Sequence, residues 1–189
     1  MKTLWIEGPL AYDGSQLRSL YAYLEHGVLG DSIVAFAGPC SISFANMLDG
    51  EDLLAKSAIA GDRMAHFIVE KFHAPLLAGV ALQRLLASLC LDLVRERADR
   101  DFARRELFRD GDDVYCGVRK LSISIATATP VSSLIHFAVN AVNSGTPVPT
   151  CCLGDFGIDE RAFALELMAR FAREVVTIEE ATRKVRWAR

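Results

Sequence analysis

The chain has 189 residues, 51% of them hydrophobic and 24% charged, with a net charge of −3; that length and apolar content suit one domain with a sizeable core. An acidic balance excludes the surplus of Lys and Arg on which non-specific binding to nucleic acid or to an anionic membrane surface depends. Five cysteines, an odd number with no CxxC pair (Cys40, Cys90, Cys116, Cys151 and Cys152), point to reduced thiols in a cytosolic protein rather than to a disulfide framework.

The N-terminal MKTLWIEGPLAYDG is broken by Glu7, Gly8 and Pro9 and lacks the apolar core of a signal peptide. Residues 4–6 predict a short strand. Ser15 then caps a helix whose Leu17, Leu20, Tyr21 and Leu24 share one face. Residues 33–37, IVAFA, predict a buried strand halted by Gly38-Pro39. The stretch 45–61 reads as a loop with a helical turn or a short strand, and 63–72, RMAHFIVEKF, as a strand. Pro75 opens a helix with Leu82, Leu85, Leu86, Leu89 and Leu93 in a core-facing stripe.

Between Arg95 and Asp113, thirteen of nineteen residues are charged. Glu96–Arg100 and Asp101–Arg105 have the i, i+4 order of a solvated helix, and the near-cancelling signs make this a surface. Gly111-Asp112-Asp113 turns the chain into a strand from Val114. Asp159 precedes a helix carrying Phe163, Leu167 and Phe171, and Thr177 with Glu180 forms a capping box for a final short helix. Strands interrupted by isolated helices, without repeat or linker, predict one α+β domain over residues 1–189. Its architecture is a two-layer α/β sandwich with a mixed, largely antiparallel sheet.

Residues 121–154 contain no acidic or basic side chain except His136. A membrane span is excluded by Pro130, Pro147 and Pro149 and by the many Ser, Thr and Asn residues. Parity predicts instead a central hairpin over 120–143. Lys120, Ser122 and Ser124 share one face of its first strand and Ile123 and Ile125 the other; His136, Ala138 and Asn140 share one face of the second. A three-residue loop at 129–131 would pair Ser124 with His136 and Lys120 with Asn140, which gathers the polar side chains on one face. That face is either a small-ligand floor with Lys120 as the cation for an anionic group, or the polar side of a half-buried sheet packed under a helix.

His66 has two neighbours of equal parity, Asp62 and Glu70, but a strand spreads the three over about 13 Å, too far for one metal ion. His66 and His136 are placed to meet across the sheet. Cys40, after a strand and a Gly-Pro turn, is either a presented nucleophile or a small buried hydrophobe. Cys151-Cys152 reads as a turn with two packed thiols.

The K-x-S-x-S-I-x-T … I-H-F-x-V-N arrangement resembles the second half of the biotin- and lipoate-protein ligase catalytic domain, in which a strand-initial lysine contacts the acyl-adenylate. The resemblance implies Lys120 as the catalytic position, Asn140 or Asn143 as the strand-end Asn, and ATP as the cofactor of an acyl activation; Ser122, Ser124, His136 and Asn140 face the ligand by the hairpin register, with His66 approaching from across the sheet. GDSIVAFAGPC, GDRMAHFIVEKF and RKLSISIATATPVSSLIHFAVN together resemble, over nearly the whole chain, a prokaryotic family described as a domain of unknown function with that fold. The ligases carry an Arg- and Gly-rich loop in their first half; the nearest segment here, AGPCSISFANMLDG, has no arginine and no glycine cluster. Two expectations follow. One is a small carboxylate or nucleotide-like ligand with ATP-dependent acyl activation or transfer; the other is a non-catalytic binding or assembly module without the phosphate loop. A homodimer through a sheet edge is compatible with both.

Overall fold

The computed structural model describes residues 1–99 and 106–188. In chain order the elements are β1 (Lys2–Pro9), α1 (Tyr21–His26), β2 (Ser32–Ile42), α2 (Gly50–Ala55), β3 (Ile59–Phe72), α3 (Leu76–Arg97), β4 (Leu107–Asp110), β5 (Asp113–Cys116), β6 (Arg119–Lys120), β7 (Ser122–Ala128), β8 (Ser132–Asn140) and α4 (Glu160–Arg183). The main sheet has the order β1-β2-β3-β8-β7, and β4-β5-β6 form a small second sheet. Only β1 and β2 run parallel. This is the mixed, largely antiparallel α+β arrangement expected, with β3 at the centre and the 120–143 hairpin at one side.

Period-2 alternation decides what each face of the sheet meets. Ala65, Phe67 and Val69 of β3 and Ile135, Phe137 and Val139 of β8 point toward α3 and α4, where Leu86, Cys90, Leu93, Phe163, Leu167 and Phe171 complete the core. Although α3 is long and apolar enough by composition to cross a membrane, its stripe is spent on this packing. Arg170 of α4 clamps the two helices by reaching Glu96 at 2.6 Å and Glu166 at 2.6 Å.

Several elements differ from expectation for identifiable reasons. β2 continues through Gly38-Pro39 instead of stopping; the register shifts between Gly38 and Cys40, and Pro39, which has no N–H to offer a ladder, sits in that irregularity. Gly38 is required there because a Cβ would lie 2.0 Å from the Leu10 carbonyl oxygen. The helix expected from Ser15 shrinks to α1. The buried carboxylate of Glu70 accepts hydrogen bonds from the Leu20 amide at 2.9 Å and the Ser19 hydroxyl at 3.0 Å, holding Leu20 at φ 62, outside helical space. Residues 107–110 form strand rather than charged helix, and the pairs Glu96–Arg100 and Asp101–Arg105 lie outside the described residues. The Thr177–Glu180 capping box is absent because α4 runs unbroken, with the Thr177 hydroxyl donating back to the Glu174 carbonyl at 2.9 Å.

The hairpin register is the main correction. Ser124 pairs with Phe137 and Ile125 with His136, one residue away from the expected alignment. The cause is the turn: the Thr129 hydroxyl accepts from the amides of Val131 and Ser132 at 3.2 and 3.0 Å, and the Thr129 amide donates to the Ser132 carbonyl at 2.7 Å. These bonds close a four-residue loop rather than a three-residue one. From Ser122 onward each strand keeps its expected parity, but His136 now shares a face with Ile123 and Ile125, while Ser122 and Ser124 turn to the helix side. The alternation breaks at Leu121, which is buried in the helix-side core, so Lys120 of β6, paired with Tyr115 rather than with Asn140, lies on the opposite side from Ser122.

Candidate functional site

The displaced serines are fully employed. The Ser122 hydroxyl accepts from the Val114 amide at 2.9 Å. That of Ser124 donates to the His136 carbonyl at 3.0 Å and accepts at 2.9 Å from Gln83 of α3, whose amide also donates to Asp112 at 2.6 Å. Both tie the hairpin to its neighbours, the packed-under-a-helix alternative of the sequence. Asn140 works similarly, its side-chain amide donating to the carbonyls of Lys120 at 3.1 Å and Cys151 at 3.2 Å.

Across the sheet lies a different environment. Among the described residues no long helix covers this face; residues 10–20, the short α1 and the segment 43–58 with the short α2 do. A cleft of about 370 Å³ opens between the hairpin and the 43–58 segment, with Ile59, Met64 and Ile123 on its apolar side and Lys120 and Asn140 at one end. It adjoins a smaller cavity under Tyr12 and His136, the two sharing Asp49, Asp52, Ile59 and Ile123 as a common wall. Lys120 and His136 were both singled out in the sequence, but the parity that grouped them with Ser122 and Ser124 does not hold, and Tyr12 and the two aspartates were missed. Tyr12 carries no motif and arrives through its bridge to Cys40, where the Tyr12 amide donates to the Pro39 carbonyl at 2.8 Å.

Lys120 is half-buried and donates to Asp113 at 2.7 Å. Burial works against its charge, yet the hydrogen bond and charge of Asp113 outweigh it and raise the ammonium pKa. Burial also raises the Asp113 carboxyl, against the pull of Lys120. An ammonium has three donors, and Asp113 takes one of them.

His66 and His136 meet as their parity suggested, Nδ1 of His66 lying 3.1 Å from Nε2 of His136. The rings stack with Phe36 and Tyr12, the Tyr12 and His136 centroids being 3.7 Å apart. Burial pulls His66 down to about 4, partly opposed by its bond to the Gly38 carbonyl. Burial, then the nearby His66, holds His136 well below the usual histidine range. Both imidazoles are neutral near pH 7.

The other candidates are accounted for by packing. Cys40 is buried and its thiol is pushed up to about 12 by desolvation, the opposite of an activated nucleophile. Cys151 and Cys152 are likewise buried and unpaired, with the Cys151 thiol donating to the Arg119 carbonyl at 3.5 Å.

A triphosphate fits this groove poorly. The glycine of the strand turn, Gly38, is pressed against Leu10, and the first free amides of α2, those of Glu51 and Asp52, are taken by the Asp49 carboxylate at 2.7 and 3.2 Å. Asp49, Glu51, Asp52, Asp112 and Asp113 all line the cleft, so its field opposes a polyanion, and a single negative charge meets a cation only beside Lys120.

Comparison with known proteins agrees with the architecture. A protein of unknown function from Pyrococcus horikoshi superposes with a TM-score of 0.92 at 38% identity, covering 100% of this chain and 99% of that one. An uncharacterised protein of Methanocaldococcus jannaschii is 31% identical over 97% of this chain and 84% of its own length. Biotin protein ligase from Aquifex aeolicus, in complex with biotin and ATP, superposes with a TM-score of 0.61 at 12% identity, over 95% of this chain and 73% of that one. At such identity the likeness is one of fold, the biotin/lipoate ligase fold. The family described as a domain of unknown function, DUF366, matches residues 1–186, and the chain belongs to it.

Proposed function

We propose that this protein is a cytosolic small-molecule-binding member of the ligase fold, taking a small carboxylate with an apolar body into the groove. The observation that carries the reading is Lys120, a charged ammonium at the end of a cleft with one apolar side, with two donors that meet no acceptor among the described residues. A carboxylate arriving there shares the lysine with Asp113 and completes its hydrogen bonding. Ile123 and Ile59 receive the apolar part. A reducing compartment suits the five buried, unpaired cysteines.

The crowd of carboxylates and the capped α2 amides favour binding over ATP-dependent acyl activation. Nucleotide therefore has no part in this reading.

Thermal-shift titration tests it with hexanoate, octanoate, biotin and lipoate, each carboxylate compared with its primary amide, and with ATP plus magnesium alongside. At least one carboxylate is expected to raise the wild-type melting temperature more than its amide does, and to lose about tenfold or more in affinity in Lys120→Met, the equivalent of about 1.4 kcal/mol. Silence from every carboxylate overturns the reading, as does an equal response in Lys120→Met.

A further inference from the structure

The small cavity at the far end of the groove has a polarity that the hydrogen-bond chain beside it dictates. The Gly38 carbonyl only accepts, so Nε2 of His66, 3.2 Å away, is the donor. In a neutral ring Nδ1 of His66 is then the acceptor, and it receives the Nε2–H of His136. The remaining nitrogen of His136, Nδ1, therefore holds a lone pair. Among the described residues no group donates to it, and none bonds the Tyr12 hydroxyl.

Both residues are almost wholly enclosed, His136 being 1% exposed and Tyr12 2%. Among the described residues, the side-chain oxygens and nitrogens that are both sealed and unpaired belong to Ser32 and Glu160. The open valences of His136 and Tyr12 are instead reached from the cavity that they line.

That cavity measures about 40 Å³, room for roughly three waters or one small head group. Its wall adds the carboxylates of Asp49 and Asp52. A lone pair asks for a donor, and two carboxylates ask for positive charge; a phosphate or a second carboxylate would find one donor, the Tyr12 hydroxyl, against the His136 lone pair and the repulsion of Asp49 and Asp52. A guanidinium is larger and planar, whereas an ammonium is a compact point charge with three donors.

We infer that the cavity under Tyr12 and His136 receives a primary ammonium group, so that the ligand of the groove is an amino-carboxylate with an apolar spacer. Its ammonium donates to His136 Nδ1 under the Tyr12 ring and faces Asp52; its spacer lies along Ile123 and Ile59. Lys120 and Ile125, the partner of His136, are separated by about 16 Å of strand, part of which the Lys120 side chain spans. This inference rests on the reading of Lys120 as the carboxylate contact.

Isothermal titration of the full chain with ω-aminooctanoate, octanoate and octylamine, against wild type, Lys120→Met, Asp52→Asn and Tyr12→Phe, tests the two ends separately. The amino acid is expected to bind wild type at least tenfold tighter than octanoate. Asp52→Asn is expected to erase most of that advantage and Tyr12→Phe, which removes a polar oxygen beside the ammonium, part of it, while octanoate binds both variants at least as tightly as wild type. If octanoate binds wild type as tightly as the amino acid, the cavity holds water only and the inference falls, while the Lys120 reading stands. If octylamine binds wild type and Lys120→Met alike and octanoate does not bind, the carboxylate reading falls and the ammonium pocket stands. Binding of none of the three overturns the proposed amino-carboxylate ligand.

Discussion

The two faces of the main sheet come from the same strands and treat polar groups in opposite ways. On the helix side, Ser122 and Gln83 are buried and Ser124 half-buried, and every one finds a protein partner. On the groove side, His136, Tyr12 and Lys120 keep unused hydrogen-bonding capacity while lining open space. Burial alone does not separate structure from function here, because His136 is more enclosed than Ser124. Completeness of pairing does.

The contrast is tested most severely by truncating one apolar side chain on each face. Phe137 is fully buried beside Phe67, their ring centroids 6.2 Å apart under the helices. Phe137→Ala is expected to cost about 3–5 kcal/mol in urea unfolding, the lost transfer energy plus the cavity left behind. Ile123, half-buried on the groove wall, already borders open space, so Ile123→Ala should cost about 1 kcal/mol and act mainly by weakening ligand stabilisation. Equal losses at the two positions would make the groove an ordinary piece of core.

Much of this division was legible in the sequence, and its largest failure has an identifiable origin. Parity within β7 and β8 was sound: Ile123 with Ile125, and His136 with Ala138, share faces as the alternation requires, although Lys120, ahead of the break at Leu121, does not share a face with Ser122. The α3 and α4 stripes also read directly from their periodicity. What a strand pattern does not contain is the length of the turn that joins it to its partner, and the Thr129 hydroxyl set that length. The resulting slip of one residue moved two serines from the ligand wall to the helix interface. A presumption that serine marks an open face failed because a hydroxyl satisfies a buried backbone amide as readily as it meets water. Tyr12 and Asp52 were illegible for a different reason, since Tyr12 reaches the groove from an irregular segment and Asp52 from the single short helix α2, neither long enough to show a periodicity.

The histidine pair gives the groove face a pH signature that the helix face lacks. An unfolded histidine titrates near 6.5, whereas His66 in the fold titrates at about 4 and His136 well below its usual range. Between these values the unfolded chain binds protons that the folded chain refuses. Stability is therefore fully present above about pH 6.5 and falls with pH until the folded pair itself protonates. His66 alone accounts for a loss on the order of 3 kcal/mol across that window. Urea midpoints measured from pH 7.5 down to 4.5 should show the decline, and it should be shallower in His136→Leu, which removes one of the two groups. A flat profile in the wild type would mean that the rings are hydrated, and the enclosed, neutral pair would have to be abandoned.

The smallest effect bears on the residue nearest the boundary between the faces. Ser124 borders the groove at the sheet edge, yet its hydroxyl is spent on Gln83 and on the His136 carbonyl. Ser124→Ala should therefore destabilise the fold by about 1 kcal/mol, the net worth of a hydrogen-bond arrangement with partners left behind, and leave the affinity of any carboxylate ligand within twofold. Gln83→Leu should reproduce the stability loss, because it removes the same link from the helix side while also releasing Asp112. A Ser124→Ala variant of wild-type stability that no longer responds to ligand would reverse the assignment. The hydroxyl would then belong to the groove, and pairing on the helix side would no longer distinguish the two faces.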